Sequence, residues 1–149
     1  MEKKTPKGKV AIITGAGTGI GKAIANRLAQ EEINIVLCGR NLEKLKECEQ
    51  QVQKYGIKTL ILKGDLTDDD YLFTLIDKAG EHFGGVDIVI NNAGMALNCK
   101  LEETSVTDFD NIMRLNVRST YFVCQSAFVY GPSRPRWKAR VASSVRVVP

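Results

Sequence analysis

Residues 14–21 read TGAGTGIG and follow directly on the apolar run Val10–Ile13. The segment reads as a short strand delivering a glycine-rich turn that opens a helix. Gly15, Gly17, Gly19 and Gly21 let the backbone bend tightly and lie against a bulky ligand with no side chain intervening. A good helix follows, from Lys22 to about Glu31. Its first N–H groups have no intrahelical partner and carry partial positive charge, so a pyrophosphate fits there. The turn therefore predicts a bound dinucleotide.

The pattern beyond the turn alternates short apolar strands with amphipathic helices. Strands are expected at Lys9–Thr14, Asn34–Cys38, Thr59–Lys63 and Val86–Ile90. The first helix spans about Gly19–Glu31, with Ile20, Ala23, Ile24 and Leu28 on its inner face. The second runs about Leu42–Tyr55, buries Leu45, Cys48, Val52 and Tyr55, and ends at Gly56, which suits a left-handed cap. The third, about Asp69–Phe83, turns Leu72, Leu75, Ile76, Ala79 and Phe83 inward and opens with the acidic residues a helix N-terminus favours. A long fourth helix extends from Ser105 or Val106 to Phe128, with Ser105 and Asp108 in capping spacing. Strands alternating with helices make β-α-β units, hence a parallel sheet covered on both faces. The expected class is α/β, a Rossmann-type doubly wound sheet. It is expected to be C-terminally truncated, with about four strands and four helices.

At 149 residues the chain is one domain by length, and its 44% apolar and 26% charged residues are ordinary for a soluble protein. No apolar run approaches the roughly 20 residues of a membrane helix. The basic N-terminus precedes only about four apolar residues, too few for a secretory leader. Cys38, Cys48, Cys99 and Cys124 are scattered and are expected to be reduced, half-buried core residues with no metal role. These features point to a cytoplasmic protein. The net charge of +4 is uneven: residues 130–149 hold five basic residues and no acidic ones, which leaves 16 basic against 17 acidic in residues 1–129. The expected organisation is a dinucleotide-binding domain over 1–129 and a basic, divergent tail over 130–149. The tail's cations and Trp137 favour weak contact with polyanions. No recognition motif accompanies them, and no nucleic-acid partner is expected.

Three further segments bear on the ligand. The second strand runs into CGRN, placing Arg40 19 residues beyond Gly21. In such a fold that position faces the adenosine ribose, where an acid pairs with a 2′-hydroxyl and an arginine accommodates a 2′-phosphate. No acid lies between Ile33 and Asn41, so NADP(H) is favoured over NAD(H). Asn41 either donates a further hydrogen bond or caps the second helix. The third strand ends KGDL. Asp65, at its carboxyl end, is read as an acceptor for an adenine amino group or as a turn residue, with Leu66 beside it. The fourth ends NNAG at Asn91–Gly94, where Asn92 supplies polar groups and Ala93 and Gly94 leave room for a ligand.

Thr14–Gly21, Asp65–Leu66, Asn91–Gly94 and Asn116 in the long helix together resemble the short-chain dehydrogenase/reductase family over about residues 6–129. The resemblance implies a nicotinamide cofactor and hydride transfer between an alcohol and a ketone, generically like the 3-oxoacyl-carrier-protein reductases. It implies cofactor contacts at Gly15, Thr18, Gly19, Ile20 and Gly21, and a catalytic place for Asn116, which in the family holds a water in a proton relay. It implies a small-molecule carbonyl or alcohol substrate, and a homo-oligomer formed through the helix at 105–128.

The family's proton donor is the tyrosine of Y-x-x-x-K, whose lysine lowers the pKa of a phenol that otherwise titrates near ~10. Position +4 here is Thr59 after Tyr55, Leu75 after Tyr71, Gln125 after Tyr121 and Arg134 after Tyr130. VASSV at 141–145 faintly resembles the family's serine-bearing strand, which would make Ser144 its serine. Without that strand, strand four is expected to be an exposed sheet edge. Two functions follow: an oxidoreductase whose turnover is impaired in this chain, or a non-catalytic NADP(H)-binding module or partner subunit.

Overall fold

The computed structural model describes residues 8–130 and 140–143. The chain builds β1 (Val10–Thr14), α1 (Gly19–Gln30), β2 (Asn34–Gly39), α2 (Leu42–Gln53), β3 (Thr59–Lys63), α3 (Asp69–Phe83) and β4 (Ile88–Asn91). A single 3₁₀ turn at Leu101–Glu103 precedes one continuous helical rod. The rod is α4 (Val106–Ile112), a π-helical segment (Met113–Ser119) and α5 (Thr120–Tyr130). A last strand, β5, spans Arg140–Ser143.

All strand pairs are parallel, in the order β3-β2-β1-β4-β5. The chain winds outward from β1 through β2 to β3, then returns to lay β4 on the other side of β1. The strand order reverses between β1 and β4, and in an open parallel sheet a crevice forms at the carboxyl ends of the strands there.

Alternate residues of each strand face opposite layers, so two cores form. Val10, Ile12, Val36 and Val89 meet Leu72, Leu75, Ile76 and Ala79 of α3 and Val123 and Ala127 of α5. Ile13, Ile35 and Leu37 meet Ala25 and Ala29 of α1 and Leu45, Cys48 and Val52 of α2. This is the expected doubly wound Rossmann-type sheet.

Local signals account for most boundaries. Asn41 Oδ1 accepts from Lys44 N at 3.1 Å and caps α2, the second of the two readings of that residue. Asp68 caps α3, and Ser105 and Asp108 form a capping box at α4. Gly56, at φ +74°, takes the left-handed cap.

Several expectations are corrected. The inner face of α1 is Gly21, Ala25 and Ala29, with Ile24 and Leu28 at its border; Ala23 and Ile20 are exposed. Small residues face the sheet because α1 packs close to it just after the glycine turn. Tyr55 lies beyond the end of α2 and is exposed, its hydroxyl accepting from Gln30 Nε2. Cys38 and Cys48 are buried and Cys124 partly so, but Cys99 sits exposed in the loop after β4. The long helix is not uniformly α-helical. Finally, β4 is not an edge: β5 pairs with it, Ile88 to Arg140 through Asn91 to Ser143. An open row of strand N–H and C=O groups is satisfied by the next extended segment available. The composition break at Tyr130 is therefore not the limit of the sheet. Ser144 and the rest of the basic tail lie outside the described residues. No helix among the described residues is long and apolar enough to cross a membrane.

Candidate functional site

The carboxyl ends of β1, β2, β3 and β4 border a cleft of about 410 Å3. Its floor is the glycine turn. Gly15 and Gly19 have φ of +66° and +51°, a left-handed backbone that residues with a Cβ seldom adopt. A Cβ on Gly21 would overlap the carbonyl of Gly15, so only glycine lets α1 start hard against the turn. Thr18 precedes α1, but its side chain makes no capping bond, and no acid lies in the first turn. Gly19 and Ile20, which begin that turn, line the cleft. A helix start without a cap or carboxylate accepts an anion.

Thr14 joins this floor to β4. Its Oγ1 accepts from Asn92 N at 2.9 Å and Ala93 N at 3.0 Å. Asn92 returns the tie, its Nδ2 donating to Thr14 O at 3.0 Å and Gly15 O at 3.3 Å. The NNAG segment is thereby fixed along one rim. Asn91 is turned the other way, its Nδ2 donating to Cys124 Sγ at 3.3 Å.

The opposite rim carries charge. Arg40 stands at the end of β2, 3.7 Å from Asp65 at the end of β3. Burial pushes the Asp65 carboxyl up, but hydrogen bonds from Thr67 N and Oγ1 and the Arg40 guanidinium outweigh it. The carboxyl is held below its ordinary value and stays ionised. Asp65 thus forms a turn with Thr67 while still lining the cleft. The Tyr71 ring packs against Gly64, where a Cβ would overlap the ring. Tyr71 Oη donates to Leu62 O at 2.6 Å. Burial raises the Tyr71 hydroxyl and pushes the Cys38 thiol up to about 12, so neither ionises near neutral pH.

The rod closes the remaining side. Asn116 lies in the π-helical segment, and both polar atoms of its amide engage one residue of the loop after β4. Oδ1 accepts from Met95 N at 2.9 Å and Nδ2 donates to Met95 O at 2.7 Å. A Cβ on Gly94 would come within 3.3 Å of Asn116 Oδ1. A glycine turn under an open helix start, with an asparagine rim on one side and an arginine on the other, is an arrangement built to hold a dinucleotide.

A sequence profile of the short chain dehydrogenases matches residues 9–134. The chain belongs to the short-chain dehydrogenase/reductase family. It is similar to an uncharacterized oxidoreductase of Staphylococcus aureus (strain USA300), 40% identical over 119 residues, covering 80% of this chain and 51% of the relative. A short chain dehydrogenase from Bacillus anthracis superposes with TM-score 0.85 at 30% identity, covering 91% of this chain and 56% of that one. An NAD+-bound xylitol dehydrogenase superposes with TM-score 0.84 at 29% identity, covering 95% and 54%. The chain spans about half the length of these relatives.

The short-chain dehydrogenase cleft gathers Gly15, Thr18, Gly19, Ile20, Arg40, Asn41, Asp65, Leu66, Asn92, Ala93 and Gly94 into one lining. Gly21 and Asn116 are not part of that lining; each acts on a neighbour that is. Sequence reasoning missed Cys38, Gly39, Lys44, Leu45, Gly64 and Leu115, which also line it. Lys44 had a signal, standing one helical turn beyond Arg40. Gly64 had one in its place immediately before Asp65. Leu115 had none beyond its neighbour Asn116.

Proposed function

We propose that the cleft binds NADP(H) in preference to NAD(H), and that the chain is the cofactor-binding part of an oxidoreductase acting on a small ketone or secondary alcohol. The observation that carries this reading is Arg40, placed at the β2 end of a cleft whose floor is an open helix start. The pyrophosphate would lie over Gly15, Thr18, Gly19 and Ile20, with Gly21 giving the turn its shape. Arg40, with Asn41 beside it, would take the ribose 2′-phosphate, Asp65 and Leu66 the adenine. Asn92, Ala93 and Gly94 would border the path to the nicotinamide. The residues fit the group, because a Cβ at Gly15 or Gly21 would fill the space that the turn needs. When bound, the nicotinamide supplies the hydride. The chain's own residues bind and orient it, and Asn116 holds the Met95 backbone beside Gly94.

A second reading is favoured by a specific observation. Tyr71 packs against Gly64 of the cleft lining, and burial raises its hydroxyl rather than lowering it. On that reading the chain holds NADP(H) without turnover, alone or with a partner subunit. Residues 1–129 form the binding unit in either case. Four unpaired cysteines suit a reducing compartment, so a cytoplasmic location belongs to the same proposal.

Titration of the purified chain with NADPH and NADH, followed by nicotinamide fluorescence, tests both parts. The expected result is saturable NADPH binding at least about tenfold tighter than NADH, a difference of ~1.4 kcal/mol. Tighter NADH binding would reverse the cofactor assignment, and no binding of either would remove it. NADPH oxidation with a ketone panel separates the two readings: steady turnover supports the enzyme, saturable binding without turnover the module.

A further inference from the structure

Lys44 sits in the first turn of α2, one helical turn beyond Arg40, and both cations line the cleft. Asp65 is the one carboxylate in that lining, and it stands against Arg40 at 3.7 Å. The lining therefore carries two cations, Arg40 and Lys44, against one carboxylate, and is left with net positive charge. The lysine stem is held in place. A Cβ on Gly17 would lie 3.1 Å from Lys44 Cβ, so the glycine turn packs directly on it. Among the described residues the ammonium end is held by Glu47, which lies outside the lining, at 3.1 and 3.2 Å. Both side chains are about half exposed, at 47% and 49%. An exposed pair of this kind is weak and exchanges readily. A phosphate monoester near −2 charge competes well against a single carboxylate for the same ammonium.

We infer that Lys44 is a specificity-determining residue, a second cation that turns from Glu47 to the 2′-phosphate of NADP(H). The inference rests on the NADP(H) reading. It assigns the selectivity to two cations, Arg40 at the end of β2 and Lys44 in the first turn of α2. Glu47 is then a built-in competitor that lowers the affinity for the phosphorylated cofactor.

The test is the dissociation constant of NADPH and of NADH for the chain and for its K44Q, E47Q and R40Q variants. K44Q is expected to weaken NADPH about tenfold and leave NADH unchanged, which also shows that the variant is folded. E47Q is expected to tighten NADPH two- to threefold, again with NADH unchanged. If R40Q abolishes the NADPH preference while K44Q keeps it in full, Lys44 is only a helix-surface residue and the inference is overturned. A K44Q that weakens both cofactors equally overturns it too, because that is the mark of a structural role. An unsubstituted chain with no NADPH preference overturns the underlying cofactor reading, an outcome distinct from a preference that K44Q leaves intact.

Discussion

Thr14 shows how much one hydroxyl can organise. It is buried at the end of β1, where the chain must leave the sheet, and it accepts from two consecutive N–H groups 78 and 79 residues away. Replacing it with valine keeps the shape but leaves both donors unpaired. Thr14→Val is expected to cost about 2 to 4 kcal/mol of unfolding free energy, whereas Thr14→Ser, which keeps the oxygen, stays within about 1 kcal/mol of the parent. Urea unfolding of the two variants checks this, and equal losses would show that the hydroxyl is not what ties β1 to the NNAG segment. The glycines and asparagines of this region were legible because their types serve a local backbone need. The role of Thr14 was not, since a strand-ending threonine has no local signature and its partners are set by the sheet. Asn41 and Asp65 were legible only as alternatives. Cap and ligand donor use the same atoms, and the structure shows Asn41 capping α2 and Asp65 holding Thr67 at the cleft wall.

At the scale of elements, three strands and three helices up to Phe83 follow from periodicity and capping, with shifts of one or two residues at their ends. The rod after β4 does not. Its apolar spacing reads as one α-helix, yet Met113–Ser119 is π-helical, and the Ser119 hydroxyl donates back to Leu115 O. A widened turn leaves little trace in a pattern whose repeats are three and four. Its consequence is the position of Asn116, whose amide pairs with Met95 as one strand residue pairs with another. Asn116→Ala is expected to free the Met95 N–H, speeding its amide exchange by about tenfold or more, with the exchange of β1 amides unchanged. Uniform acceleration would mean global destabilisation, and no change at Met95 would mean that the clasp does not persist. The same pair explains why the first glycine of the loop, Gly94, lies so close to the rod. A further long tie is Arg118, which donates to both carboxylate oxygens of Asp69, at 2.6 and 3.0 Å, from a position over the Phe122 ring. The arginine's hydrogen bonds and charge hold the Asp69 carboxyl below its ordinary range.

At the scale of the whole molecule, the sheet accepted a strand that composition had assigned to a tail, because pairing demands only an extended backbone of the right length. Only the faint resemblance of VASSV at 141–145 to a strand of the family pointed to it. Among the described residues the outer face of the rod stands out, with Val106, Phe109, Met113, Val117, Tyr121 and Phe128 all substantially exposed. Steps of three and four keep the first five on one side, and the wider π turn preserves that alignment where the steps are fours. Arg114 and Arg118 flank the middle of this face and border a shallow groove with Asp110. An apolar stripe rimmed by both signs of charge is suited to meet its own copy antiparallel, apolar centre to apolar centre. A homodimer through residues 105–128 is therefore expected, with light scattering on a sizing column giving twice the chain mass at micromolar concentration. Val117→Glu with Tyr121→Glu puts two carboxylates at the centre of the stripe. Both residues are exposed in the single chain, so the unfolding midpoint extrapolated to low concentration should barely move while the dimer dissociates. A dimer that survives both substitutions would place the contact elsewhere. Loss of dimer together with NADPH binding would show that the rod must be covered before the cleft on its other side, bordered by Leu115 and braced by Asn116, takes its working shape.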